Sequence, residues 1–203
     1  TYMRNVRLTA GKGLICIPSG NHDMDRLARQ VHGDGLRVAF AFLLSMPGAP
    51  FIYYGDEIGM RYVENIPSVE GGFARTGARS PMQWDDTVNC GFSAAPPHSL
   101  YIPQDPAEDR PTVQREMETE DSLWHTVQRL ISIRHAHKAL QGGGAIEMIY
   151  AGKNAYPFAY LRTAGDEKIL VVLNPPARES VFPCALRPSA VLYETGGAAA
   201  FNG

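Results

Sequence analysis

The sequence predicts an α/β region followed by an all-β region. Three observations carry this reading: a strand, helix, strand order between Leu14 and Tyr54, an amphipathic helix that stops at Gly142-Gly143-Gly144, and short turn-separated strands after those glycines. Leu14 to Pro18 is a short apolar run with β-branched residues, and Ser19-Gly20 closes it as a turn. A buried strand is expected there, with Asn21-His22-Asp23 at its carboxyl end. Leu36 to Met46 is apolar nearly all round and is stopped by Pro47-Gly48, which predicts a helix covered on most sides. Ala49 to Tyr54 reads as a second buried strand, ending at Gly55-Asp56-Glu57. Strand, helix, strand in that order is a βαβ unit.

Gly59 to Asp121 has no sustained period and is broken by Pro67, Pro81, Pro96-Pro97, Pro103, Pro106 and Pro111. A connection of this length inside a compact domain is usually a functional loop. Asp121 or Ser122 then caps a helix in which Leu123, Val127, Leu130, Ile131 and Arg134 follow helical spacing. Beyond the glycines, strands are expected at Ala145 to Tyr150, Ala155 to Arg162, Ile169 to Asn174, Glu179 to Phe182 and Ala190 to Glu194. Their separators, Gly152-Lys153-Asn154, Ala164-Gly165-Asp166 and Pro175-Pro176, are turn chemistry. The domain boundary is placed at Gly143, giving residues 1–143 and 144–203.

Composition narrows the function. The 203 residues carry nineteen Lys and Arg against twenty-one Asp and Glu, a net charge of −2, with both signs scattered. Nucleic acid and an anionic membrane are therefore poor candidates for the main partner. Hydrophobic residues make up 44 % and charged residues 20 %, too apolar for disorder. The strongly apolar stretch Val38 to Leu44 is far short of the roughly 18 residues that cross a bilayer, and Thr1 to Gly13 has no apolar segment of the kind a secretory signal needs. Cys16, Cys90 and Cys184 are odd in number and widely spaced, which suits thiols in a reducing compartment and a cytoplasmic location.

Asn21-His22-Asp23 delivers a carboxylate beside an imidazole at a strand end, where α/β barrels build active sites. By itself the tripeptide is a weak signal, more often a turn that caps the residues from Asp25 onward. Asp56 and Glu57 are adjacent, so on a strand they point to opposite faces and form no catalytic dyad. They read as loop-organising residues. Tyr53, Tyr54 and Trp84 have faces that could stack on a sugar, although packing in a core or wall is their ordinary role. His135 and His137, two apart on a helix, cannot share a metal, and neither a metal site nor a cofactor is expected.

Three segments in order change the weight of the first candidate: Asn21-His22-Asp23, then Gly48-Ala49-Pro50-Phe51-Ile52-Tyr53-Tyr54-Gly55-Asp56-Glu57-Ile58-Gly59-Met60, then Ala78-Arg79-Ser80-Pro81-Met82-Gln83-Trp84-Asp85-Asp86. Together they resemble the α-amylase superfamily of glycoside hydrolases, in particular its α-glucosidase, oligo-1,6-glucosidase and trehalose synthase branch. Ser80 stands where that pattern usually has Thr.

The resemblance covers nearly the whole chain. It implies that residues 1–143 are the carboxyl-terminal part of a (β/α)8 barrel, from its seventh strand to its eighth helix, with 59–121 as the loop after the eighth strand. It implies that residues 144–203 are a small antiparallel β-sandwich, lacking an edge strand because the chain stops at Phe201-Asn202-Gly203. Asp23 would be the carboxylate that stabilises the transition state, and His22 would bind hydroxyls of the sugar being cleaved. Arg79 would close the substrate pocket by a bidentate pair with an aspartate from an early barrel loop.

The family's nucleophile, in an Arg-x-Asp motif, and its acid/base Glu lie upstream of Asn-His-Asp, and no Arg-x-Asp occurs in this chain. Retaining glycosidases need both groups. The implied function is thus the carboxyl-terminal part of a retaining α-glycosidase or transglucosidase acting on α-linked glucosides or oligosaccharides, inactive alone. The alternative is a non-catalytic carbohydrate-binding or structural module of the same superfamily. Two strands cannot close a barrel, so self-association through exposed edges, or packing of those edges on the carboxyl-terminal domain, is a further expectation.

Overall fold

The computed structural model describes residues 2–9, 11–66, 75–175, 178–197 and 200. In chain order the elements are α1 (Tyr2–Thr9), β1 (Cys16–Pro18), α2 (Leu27–Gln30), α3 (Asp34–Ser45), β2 (Ala49–Phe51), α4 (Val113–Glu118), α5 (Leu123–Ala136), β3 (Ala145–Tyr150), β4 (Phe158–Ala164) and β5 (Glu167–Leu173), with short 3-10 turns between them. Strands β1 and β2 pair as a two-stranded sheet. Ala49 N–H donates to the Ile15 carbonyl and Ser19 N–H to the Phe51 carbonyl, both at 2.8 Å, so the pairing advances along both strands together and is parallel. Strands β3, β4 and β5 form an antiparallel meander in that order.

These residues fall into two compact units: 1–17 with 37–50 and 129–203, and 18–36 with 51–128. The boundary expected at Gly143 lies inside the first unit.

In the first unit, the core gathers Met46, Tyr160 and Leu173, with Tyr2, Val38, Ile146, Phe158 and Val171 packed on them. The carboxyl end of α3 is held by two buried arginines. Arg134 of α5 donates to the carbonyls of Leu44 (2.6 Å), Met46 (3.0 Å) and Gly48 (2.7 Å). Arg162 of β4 donates to the Ser45 carbonyl and to those of Gln141 (2.8 Å), Gly144 (3.2 Å) and Ala145 (3.2 Å). The last carbonyls of a helix have no partner within it, so these guanidiniums supply the missing donors. Burial, with Arg134 nearby, pushes the Arg162 guanidinium down to about 10.

The two expected buried strands are shorter than predicted and only partly covered. A two-stranded sheet leaves one edge of each strand without a ladder partner, which limits both length and burial. Along α3, Phe40, Leu43 and Leu44 are buried, but Phe42 remains 37 % exposed, so the helix is not covered on every side. Helix α5 begins beside Ser122, whose hydroxyl accepts from His125 N–H at 3.3 Å, and it ends at Ala136 before a 3-10 turn, Lys138–Leu140. His137 therefore lies beyond the helix on which the sequence placed it. Glu179 to Phe182 and Ala190 to Glu194, expected as strands, are irregular. Pro183 and Pro188 remove ladder donors from this stretch and leave its runs too short to pair. Of the expected turn Pro175-Pro176, Pro176 lies outside the described residues, as do Pro67 and the terminal Phe201-Asn202-Gly203.

The second unit holds the long connection. Its order comes from single side chains rather than a repeating ladder. Asn89 donates to the carbonyls of Ser93 and Ala95, Arg61 pairs with Asp105 at 2.8 Å, and Arg115 pairs with Asp86 at 2.8 Å. Ile58, Met60 and Met82 form the apolar centre beneath, with Val113 and Trp124 against them.

Candidate active site

The exit of β1 is fixed from below. Ser19 Oγ donates to Asp56 Oδ2 at 2.6 Å and accepts from Tyr53 N–H at 2.9 Å, so one hydroxyl ties the ends of β1 and β2 together. Asp56 and Arg26 form an ion pair at 3.5 Å with both side chains fully buried. Arg26 also donates to the Tyr54 carbonyl at 2.7 Å and lies over the rings of Tyr53 and Tyr54 at 5.1 and 4.8 Å. Burial raises the Asp56 carboxyl above the ordinary range, and the Ser19 hydroxyl and Arg26 pull it back. Gly20 passes so close that an added Cβ would lie 3.1 Å from Asp56 Oδ2. Asp56 thus organises the turn above it, as its sequence suggested. The reason given there does not hold, because Asp56 and Glu57 lie on a 3-10 turn and not on a strand.

On that support stands Asn21-His22-Asp23. Asn21 Oδ1 accepts from Asp23 N–H at 2.8 Å, an Asx turn that presents the next carboxylate outward. Asp23 is 48 % exposed at its side chain and meets three basic groups. Arg75 Nη1 is 2.7 Å and Arg79 Nη2 3.0 Å from its Oδ1, and His22 Nε2 is 3.4 Å from its Oδ2. Arg79 Nε donates to the His22 carbonyl at 2.9 Å, so the same guanidinium grips both backbone and carboxylate of the turn.

The three site residues read from sequence, His22, Asp23 and Arg79, are therefore brought together. Arg79 pairs with Asp23 itself. Arg75 was missed, although it sits one residue before the 3-10 turn Thr76–Arg79 that carries Arg79, in Arg75-Thr76-Gly77-Ala78-Arg79. That spacing is the signal that could have found it. Arg26 gave no such signal, since its partner is thirty positions away at Asp56. Among the described residues no group of three His, Cys, Asp or Glu side chains is placed to hold a metal ion, and no helix is long and apolar enough to cross a membrane. The cysteines are free thiols, Cys90 buried and Cys16 exposed.

Residues 3–143 match the α-amylase catalytic domain, and the chain belongs to that family. It is 30 % identical over 220 residues to an oligo-1,6-glucosidase of Parageobacillus thermoglucosidasius, a match that covers 91 % of this chain and 38 % of that protein. It is 39 % identical over 173 residues to the trehalose synthase/amylase TreS of Mycobacterium tuberculosis, covering 82 % of this chain and 26 % of the relative. Among solved structures it resembles the trehalulose synthase MutB with a TM-score of 0.72 at 26 % identity, over 86 % of this chain and 37 % of that one. The chain thus spans well under half the length of these relatives.

Proposed function

We propose that this chain supplies the transition-state-stabilising part of the active site of a retaining α-glycosidase or transglucosidase acting on α-linked glucosides. The observation that carries the proposal is the convergence of His22, Arg75 and Arg79 on the exposed Asp23 carboxylate at a strand end. In this reading Asp23 faces the positive charge that develops at an anomeric carbon, and His22 and the two arginines bind the hydroxyls of the same ring. A carboxylate already oriented by fixed donors needs no reorganisation as that charge appears. Strand β1, helix α3, strand β2 and helix α5 are read as the last barrel strands and helices, and β3 to β5 as part of the sandwich. The family match ending at residue 143 supports that division.

The reaction also needs a nucleophile and an acid/base about 5 to 5.5 Å apart. Neither role fits Asp23, whose Oδ1 is engaged by two guanidiniums. The 203-residue chain by itself is therefore expected not to hydrolyse an aryl α-glucoside, and turnover by pure material would refute this. In the full-length protein, Asp23→Asn is expected to lower kcat by at least about 100-fold with little change in unfolding midpoint, because the lost interaction is made mainly in the transition state. Retained turnover would remove the role given to Asp23. A non-catalytic carbohydrate-binding or structural module is the second reading, favoured by the pairing of Asp23 with both arginines, since a carboxylate so engaged also serves as a structural tie.

A further inference from the structure

We infer that the basic face of helix α1 is a docking surface for a second copy of this chain, and that it takes the acidic segment formed by the end of α4 and the turn after it. Along the sequence both signs of charge are scattered, but the two compact units separate them. Residues 1–17, 37–50 and 129–203 hold twelve Lys and Arg against five Asp and Glu, a net of +7. Residues 18–36 and 51–128 hold seven against sixteen, a net of −9. Charge sorted in this way gives each unit a field that attracts groups of the opposite sign.

Helix α1 presents positive charge on an exposed face. Tyr2 and Met3 pack against the core of their unit, while Arg4, Arg7 and Leu8 stay exposed at spacings of three and four, neighbours on a helix surface. Lys12 follows, also exposed, in the turn that closes the helix, where its N–H donates to the Thr9 carbonyl at 2.8 Å. Residues 1–17 contain no Asp or Glu, and among the described residues no side chain pairs with Arg4, Arg7 or Lys12. Beside these cations Leu8 is 65 % exposed.

The matching element belongs to the other unit. Met117 is 51 % exposed, and Glu118, Glu120 and Asp121 beside it are exposed as well. Arg115, the basic residue of α4, is held by Asp86 at 2.8 Å and does not offset them. Glu118 accepts from Gln114 at 3.0 Å, a neutral donor that leaves its charge in place. Each surface therefore sets an exposed apolar side chain among charges of one sign, and the two signs are opposite. Such a pair forms an interface that is apolar at its centre and charged at its rim. Because the acidic segment is part of the chain, a second copy brings the complement with it. Nucleic acid or an anionic lipid surface would be drawn to Arg4, Arg7 and Lys12 but repelled by the unit of net −9.

The test is sedimentation velocity of the 203-residue chain from about 20 to about 500 μM, in about 20 mM and about 500 mM NaCl. Exposed ion pairs are individually weak and are screened by salt. Self-association with a Kd on the order of 0.1 mM is therefore expected at low salt, and its loss at high salt. Arg4→Glu with Arg7→Glu, and separately Glu118→Lys with Glu120→Lys, should each weaken it about tenfold or more. An equimolar mixture of these two double variants should regain association to within about threefold, because each reversed surface then meets its opposite. Mixing repairs no folding defect. Lys153→Glu with Lys168→Glu changes the net charge by the same amount at other exposed positions of the same unit and should stay within about twofold of wild type. A chain that stays monomeric at low salt overturns the contact. So does a mixture that stays apart, or a loss with the Lys153 and Lys168 changes as large as that with the Arg4 and Arg7 changes. Asp23→Asn should associate as the wild type does, so the contact and the role given to Asp23 are judged separately.

Discussion

The two units use buried arginine in opposite ways. In the first, Arg134 and Arg162 face carbonyl oxygens alone and close the end of α3. In the second, Arg26 faces the carboxylate of Asp56 and fixes the turn that presents Asp23. The difference teaches what each arrangement is for. A guanidinium among carbonyls stays charged at the expense of solvation and satisfies many weak acceptors at once, which suits a helix end joined to a sheet. A guanidinium against one carboxylate fixes a single point, which suits a turn whose residues must be aimed.

Breaking the first arrangement should have the larger effect. Arg162→Met takes a donor from four carbonyls; that of Gln141 keeps the Gly144 N–H, and each of the others costs about 1 to 3 kcal/mol where it is buried without a partner. Relief of the guanidinium's own desolvation offsets part of this. A net loss of about 3 to 5 kcal/mol is expected in chemical denaturation, and Arg162→Lys should recover less than half, because an ammonium lacks the planar fork. A loss below about 1 kcal/mol would mean that other donors reach those carbonyls.

The second arrangement is tested by Arg26→Met, which strands Asp56 in a buried site at an expected loss of about 3 kcal/mol. The double change Arg26→Met with Asp56→Leu should recover most of that stability. It should still impair the site, because Ser19 loses its acceptor and the Asn21-His22-Asp23 turn loses its support. If the double variant instead kept full sugar binding at Asp23, the pair would have no positioning role.

Smaller still is the tie of Glu167 to the end of α5. Its carboxylate accepts from Ala139 N–H at 2.7 Å and lies 2.6 Å from His137 Nδ1. These contacts hold its pKa below the ordinary glutamate value, the backbone N–H foremost. The folded value is lowered, so the stabilisation is fully present above the unfolded value and is lost as pH falls through the folded one. Glu167→Gln should flatten the acid limb of the stability profile, and an unchanged limb would contradict the linkage. The smallest effect expected is from Thr112→Ala, which removes the cap on Arg115 N–H at 3.2 Å in α4 and should lower stability by about 1 kcal/mol in the same assay.

Much of the local structure could be read directly from the sequence. The period of Leu123 to Arg134 gave α5, alternation and turn residues gave β3, and Pro47-Gly48 marked the end of α3 within two residues. The strands that failed, Glu179 to Phe182 and Ala190 to Glu194, rested on composition without any identified partner strand. At the site, His22, Asp23 and Arg79 came from ordered motifs. Arg75 had only a spacing to mark it, and Arg26 had nothing local. Trp84 and Tyr54 have faces that could stack on a sugar or pack in a wall, and in the structure they are 50 % and 37 % exposed.

By itself the sequence determined the family, the order of the site motifs, and which carboxylate would stand at the end of a strand. Motif order and hydrophobic period are properties of neighbouring residues, so they survive without coordinates. Only the tertiary structure decided which guanidinium meets which oxygen: Arg75 and Arg79 on Asp23, Arg26 on Asp56, Arg134 and Arg162 on the carbonyls closing α3. Every arginine carries the same fork of donors. What it binds depends on the acceptor that folding leaves unsatisfied within its reach, and that acceptor is set by residues tens of positions away.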